Sequence, residues 1–262
     1  MILTVDVGNT TVRLCGIDKT AGEYTVSFSV KMDTELRKSA DAYLADFKRL
    51  LTREGVELGQ IEGAVLCSVV PKLIDALYSC LRTLIGREVV VVTFKSDTGL
   101  KIDLPAPERV GTDRLADAAW AAARYPLPVV TVDMGTATTF NVVDENGVFL
   151  GGVIAPGLDT GARALADCAA QLPKIDLSTP DHVIGKNTVE CMLSGAVVGA
   201  AAMIDGITAR IEQELGKPVT LVLTGGLARF VEPLCSHPHS YDPDLLPKGM
   251  ALLYEKNHGD AS

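Results

Sequence analysis

The chain has no CxxC pair, no run of basic residues and no long unbroken apolar stretch, and each absence removes a class of protein. Its six cysteines (Cys15, Cys67, Cys80, Cys168, Cys191 and Cys235) are scattered singly. That spacing speaks against a zinc site or a disulfide framework and predicts buried thiols in a reducing compartment. The four histidines, including His237 and His239, have no carboxylate or cysteine at ligand spacing and are expected in loops. A formal net charge of −9 leaves no basic face for nucleic acid or an acidic membrane. The opening MILTVDVG lacks a basic n-region and is too short for a signal peptide. The longest apolar stretch, Gly195 to Met203, is broken by Asp205 and is too short to span a bilayer. The expectation is a cytoplasmic protein with neither nucleic acid nor membrane as partner.

What the chain does have is one signature written twice. TVDVGNTTVRLC at residues 4 to 15 and TVDMGTATTFNV at 131 to 142 each run from an apolar strand to an Asp, a small-residue turn and a second apolar strand. Gly8 and Gly135 let the backbone turn and approach a ligand, while Asn9, Thr10, Thr11, Thr136, Thr138 and Thr139 supply short donors. Such loops suit phosphate oxygens. Asp6 and Asp133 would repel a polyphosphate without a cation between, which implies Mg2+ or a monovalent ion.

At 262 residues and 47% hydrophobic content, the chain suits one large or two medium domains. Period-two and apolar runs predict strands near 1 to 7, 11 to 17 and 24 to 30. A helix follows near 35 to 54, with Leu36, Tyr43, Phe47, Leu50 and Leu51 on its apolar face. A strand at 61 to 67, a helix from 71 to 85 opening on Pro71 and a strand at 88 to 93 complete the first half. The second half repeats the order, with strands near 128 to 134, 138 to 144 and 147 to 154, and Asn146-Gly147 as a hairpin turn. Helices near 158 to 170 and 187 to 215 and a strand at 219 to 224 follow. The repeat indicates a duplicated α/β architecture.

In VGTDR, Thr112 is placed to cap a helix whose apolar face is Leu115, Ala118, Ala119 and Ala122, and Asp113 falls in the first turn. An acid there is what any helix prefers, by about 0.3–1 kcal/mol, and the helix end favours its ionised form. Arg114 reads either as a surface salt bridge or as a paired donor for a carboxylate. Gly195, Gly199 and Gly206 among alanines let another helix come close. Thr224-Gly225-Gly226 ends a strand either as a nucleotide contact or as a plain turn.

Six segments in order, DVGNT (6–10), CSVVP (67–71), VGTDR (110–114), DMGTATT (133–139), GGVIAPG (151–157) and GKNTVECMLSG (185–195), resemble the motifs of type III pantothenate kinase. That family lies within the actin, sugar kinase and Hsp70 ATPase superfamily. The resemblance implies two tandem ribonuclease H-like lobes, 1–110 and 111–262, with a nucleotide cleft between them. It implies ATP-dependent phosphorylation of pantothenate to 4′-phosphopantothenate, the first step of coenzyme A biosynthesis. Asp6, Val7, Gly8, Asn9, Thr10, Thr11, Val12 and Arg13 correspond to the family's ATP phosphate loop, with Asp6 organising Mg2+, and Thr136 meets the same nucleotide. Asp133 resembles the ligand of a monovalent cation, K+ or NH4+. Asp113 resembles the general base, with Gly111, Thr112, Asp113, Arg114 and Thr188 as pantothenate contacts. A homodimer with its active site near the subunit interface is implied as well.

Two positions depart from the family pattern. Leu104 stands where a Tyr often contacts substrate and cannot donate that hydrogen bond, and Asp117 stands where Asn is common. Two other readings compete: another small-molecule hydroxyl kinase of the superfamily, and a non-catalytic nucleotide-binding regulatory protein. Intact Asp6, Asp113, Arg114 and Asp133 speak against the second.

Overall fold

In the computed structural model, which describes residues 1–258, the first strands form where alternation and β-branched residues predict them. They are β1 (Ile2–Val7), β2 (Thr11–Thr20) and β3 (Glu23–Asp33), followed by α1 (Ala40–Arg53), β4 (Gly63–Ser68), α2 (Pro71–Ile85) and β5 (Val89–Val91). Then come β6 (Lys101–Ile102), α3 (Thr112–Arg124), β7 (Val129–Met134), β8 (Ala137–Val143) and β9 (Val148–Pro156). The chain continues through α4 (Leu158–Cys168), α5 (Thr188–Leu215), β10 (Thr220–Thr224), α6 (Ala228–Val231), β11 (His239–Tyr241) and α7 (Leu245–Asn257).

The two mixed sheets share one plan. The first has strand order β3-β2-β1-β4-β5, and the second runs β9-β8-β7-β10-β11 with β6 added beside β9. In each, an antiparallel ribbon lies on one side of a central strand and parallel strands on the other. Helices α1 and α2 cover the β1 face carrying Leu3, Val5 and Val7, and the same core takes in Phe47, Leu66 and Leu77. In the second sheet Val130, Val132 and Phe140 pack with Val197, Ala201 and Ile204 of α5. The Asn146-Gly147 turn forms as expected: Gly147 has φ 74°, and Asp144 Oδ1 accepts the N–H groups of Asn146 and Val148.

Two compact units result, and they are not contiguous in sequence. The first comprises Met1–Leu100, Pro105–Trp120 and the stretch from Asp244; the second comprises Lys101–Leu104 and Ala121–Pro243. This differs from lobes cut once at 110/111. The reason is α7, which packs on β1 to β4 of the first sheet. Tyr254 fills the space over Gly63, where a Cβ would strike its ring, and Glu255 takes hydrogen bonds from Lys19 Nζ (2.6 Å) and Tyr24 Oη (2.5 Å). Tyr24 in turn meets Trp120 of α3 edge-on, with centroids 5.1 Å apart.

Three further expectations change. Leu36 lies outside α1 and is 61% exposed, because Ser39 caps the helix by accepting the Ala42 N–H and α1 starts at Ala40. Cys168 and Cys191 are exposed; only Cys15, Cys67 and Cys80 are buried, although all six are free thiols. Helix α5 extends well beyond its nine-residue apolar stretch and is long and apolar enough, by length and composition, to cross a membrane. Its Val197, Ala201 and Ile204 face is built into the core of its own unit, as in a core helix.

Gly249 of α7 lies directly on α3, where a Cβ would land on the Ala116 carbonyl. Because backbone cannot give way there, Gly249→Ala is expected to cost about 1–3 kcal/mol of stability. Thermal denaturation showing an unchanged midpoint would contradict this packing.

Candidate active site

Asp6 sits near the end of β1, opposite Arg13 of β2 and beside Cys67 of β4. Strand alternation sends Leu3, Val5 and Val7 into the α1/α2 core, so Thr4 and Asp6 take the other face. Val7 and Val12 are wholly buried, so only their backbone can serve a ligand in the loop. Helix α3 begins against this polar face. Cys67, fully buried, has the carboxylates of Asp6, Asp113 and Asp117 and the Thr112 hydroxyl around it. Burial first, and then those carboxylates, push its thiol well above the usual range, so it is an inert wall rather than a nucleophile.

Asp113 accepts the Arg114 N–H at 2.9 Å. Burial raises its pKa while the Arg114 N–H and charge lower it, and the net direction is upward. The helix end therefore does not by itself set its ionisation; desolvation is the larger effect. Gly111 makes room for this carboxyl, since a Cβ there would strike Asp113 Oδ1. Arg114 is pulled down by burial and supported by Asp113 and Asp117. Thr112 is the first residue of the helix rather than its cap: Leu115 N–H bonds the Gly111 carbonyl (3.3 Å). Thr112 Oγ1 is buried without a strong hydrogen bond, with the Cys67 thiol beside it.

The first loop closes by Gly8 N–H to the Thr11 carbonyl (2.9 Å) and leaves Asn9 and Thr10 exposed. Arg13 turns away from it: Nε donates to Ser29 Oγ (3.0 Å) and Nη2 to Asp244 Oδ1 (3.2 Å), which ties the start of α7 to β2. The loop motif carried no sign of that tie, because Asp244 comes from the far end of the chain.

In the second unit Asp133 lies between Thr139 of β8 and Thr224 of β10 in register. Gly225, at φ 96°, packs against it, and a Cβ there would stand 2.5 Å from Asp133 Oδ1. The TGG turn thus adjoins the second loop. That loop is one residue shorter than the first, since Met134 pairs Thr138 where Val7 pairs Val12. Thr136 is exposed. Thr188, also exposed, opens α5 behind the true cap Asn187, whose Oδ1 accepts the Glu190 N–H (3.0 Å). It lines a cavity of ≈460 Å³ with Leu158, Leu165, Cys191 and Met192. Leu104 packs over β9, with Cδ2 3.2 Å from where a Cβ of Gly151 would lie.

The structure thus joins Asp6 to Gly111–Arg114 in the first unit, and holds Asp133, Thr136 and Thr188 in the second. His182 and His237 lie in loops as expected, but two histidines have carboxylate partners. His237 Nε2 meets Glu212 Oε1 and His239 Nε2 meets Glu232 Oε1, both at 3.2 Å, and His239 lies in β11. Among the described residues no group of three or more His, Cys, Asp or Glu could hold a metal ion by itself.

Comparison with known proteins matches residues 2–210 to the family model described as type III pantothenate kinase. The type III pantothenate kinase of Agathobacter rectalis is 37% identical over 259 residues, covering 98% of each chain. That of Zymomonas mobilis is 39% identical over 98% of this chain and 93% of its own. Among solved structures, the ROK hexokinase of Thermus thermophilus aligns with a TM-score of 0.50 at 17% identity, over 96% of this chain and 97% of that one. Component A of the Acidaminococcus fermentans (R)-2-hydroxyglutaryl-CoA dehydratase aligns with 0.52 at 13%, over 97% and 96%. These two structures show a shared fold.

A carboxyl whose folded pKa is raised stabilises the fold only while protonated. That contribution is complete below its ordinary 3.8 and is lost as pH rises through the higher folded value. Asp113→Asn should therefore raise the melting temperature of the ligand-free protein at about pH 7.5, and the gap should close toward about pH 3.5. Equal melting temperatures at both pH values would contradict a desolvated Asp113.

Proposed function

The chain belongs to the type III pantothenate kinase family, and we propose from this that it transfers the γ-phosphoryl group of ATP to the hydroxyl of pantothenate. The product is 4′-phosphopantothenate, the first intermediate toward coenzyme A. The observation that carries the residue assignment is Asp113 at the head of α3, half-buried, with its carboxylate and that of Asp6 both close enough to act on the Cys67 thiol. One carboxylate is raised toward working pH by desolvation while the other stands at a phosphate loop, a division of labour suited to proton acceptance and metal organisation.

In this reading Asp113 accepts the hydroxyl proton as that oxygen bonds to the γ-phosphorus and the bond to ADP breaks. The transition state is loose, so alignment matters more than base strength. Arg114 pairs with the substrate carboxylate through its planar guanidinium, with Gly111, Thr112 and Thr188 as further contacts. Residues Asp6 to Thr11 and Thr136 receive the nucleotide phosphates.

The donor set fits Mg2+, which is commonly held by one or two carboxylates together with substrate phosphates and water. Asp6 is such a carboxylate, and among the described residues no protein-only cage is built. When bound, Mg2+ would neutralise charge on the β- and γ-phosphates. Asp133, beside Thr139 and Thr224, offers the hard oxygens a K+ or NH4+ ion takes.

The two units read as ribonuclease H-like lobes, a reading supported by their shared strand order. A homodimer fits the side of α5 that carries Gly195 and Gly199, which line the same cavity as Leu158 and Leu165 and where a Cβ would meet nothing within 4 Å; Val183 and Ile184 nearby in sequence are 68% and 81% exposed. Free thiols suit the cytoplasm.

Purified protein with Mg2+-ATP and K+ should convert pantothenate to 4′-phosphopantothenate in a coupled assay. Asp113→Asn should lower kcat by about 10²–10⁴-fold while ATP still binds. Full turnover by that variant would sink the base assignment; phosphorylation of another polyol but not pantothenate would sink the acceptor. The acidic limb of kcat/KM should lie above the usual carboxylate range, activity being lost as Asp113 protonates on falling pH.

A further inference from the structure

The duplicated loop is held by a duplicated clamp. In the first unit Thr34, just after β3, donates its hydroxyl to the Gly8 carbonyl (2.8 Å) and its N–H to the Thr10 carbonyl (3.0 Å). In the second, the segment after β9 does the same: Gly157 N–H (3.1 Å) and the Thr160 hydroxyl (2.7 Å) both reach the Thr136 carbonyl. The loops differ in length and their clamping segments differ in sequence, MDTEL against PGLDTGA. Even so, a threonine hydroxyl and a backbone N–H from the element after the third strand draw in loop carbonyls in both. Neither pairing is a local turn, since Thr34 and Gly8 are 26 residues apart and Thr160 and Thr136 are 24 apart.

A trans peptide points its C=O and the following N–H in opposite directions. Drawing the Gly8 oxygen toward Thr34 therefore turns the Asn9 N–H the other way, and drawing in the Thr136 oxygen does the same for Ala137. A loop that receives phosphate must offer N–H groups to the anion, because a carbonyl oxygen in that place would repel it. Glycine at position 8, and the short turn at 135–137, leave those peptides easy to flip.

We propose that Thr34 and Thr160 are positioning residues that lock the two loops with their N–H groups toward the nucleotide phosphates. This rests on reading the loops as the ATP site. The hydroxyls touch no phosphate; they act through the peptides they hold.

The test compares Thr34→Val, Thr160→Val and the double variant with Thr34→Ser and Thr160→Ser. Calorimetric Kd for Mg2+-ATP, kcat with separate KM values for ATP and pantothenate, and thermal midpoints are measured. Each Val variant should weaken ATP binding and raise the ATP KM about fivefold, the worth of one hydrogen bond. The double variant should lose about twenty-five-fold, the sites being on separate loops. The pantothenate KM should stay within about twofold of wild type, and the Ser variants should restore ATP affinity. Val variants that bind ATP as wild type does, or Ser variants as weak as Val, would overturn the proposal. If Thr34→Val does not fold, the exposed Thr160→Val decides alone. Wild type that binds no Mg2+-ATP would instead remove the kinase reading on which the proposal stands.

Discussion

The register of the central strand in each sheet decides which face holds core and which holds chemistry. In β1, Leu3, Val5 and Val7 enter a core of leucines and phenylalanine, so Thr4 and Asp6 must point to the other side. A slip of one residue would bury the carboxylate under α1 and α2 and expose the valines, a swap no folded state could bear. In β7, Val130, Val132 and Met134 fix the register in the same way, which leaves Thr131 and Asp133 opposite. There Thr131 Oγ1 accepts from buried Asn141 Nδ2 (3.1 Å), a buried polar pair on that face. Both aspartates are where they are because hydrophobic residues on alternate positions leave them no other place.

The repeat is topological rather than literal. Asp6 pairs with Arg13, and Asp133 with Thr139. The first Asp therefore has a cation across the strand pair, itself held by Ser29 and Asp244, and the second has a hydroxyl.

Much of this was legible because it is local. Periodicity located β1 to β4, Pro71 located the start of α2 to the residue, and Asn146-Gly147 located the hairpin. The motif residues were legible one by one, but lobes cut at 110/111 set Asp113 apart from Asp6, whereas the structure holds both in the first unit. What stayed hidden depends on long-range partners. Helix α7 has no strong amphipathic signal, since it is buried through Gly249 and Leu253 on one side and Ala251 and Tyr254 on another, and nothing in it shows that it belongs to the first sheet. The two-residue β6 exists only as an addition to β9, and the three-residue β11 only as an addition to β10. Leu36 fits helical spacing and was excluded by a cap at Ser39. Glu212 and Glu232 face histidines 25 and 7 residues away, beyond any ligand-spacing rule. The threonine clamps look like ordinary polar residues until the loops they close are seen.

The placement of α7 also sets an order of events. On a ribosome the strands of the first unit emerge first and the residues that complete that unit emerge after the whole of the second. Until then the face of β1 to β4 that bears Gly63 and Cys67 lacks Tyr254 and its neighbours. A nascent chain stalled anywhere before Asp244 thus carries an uncovered sheet face, a natural target for chaperones and proteases.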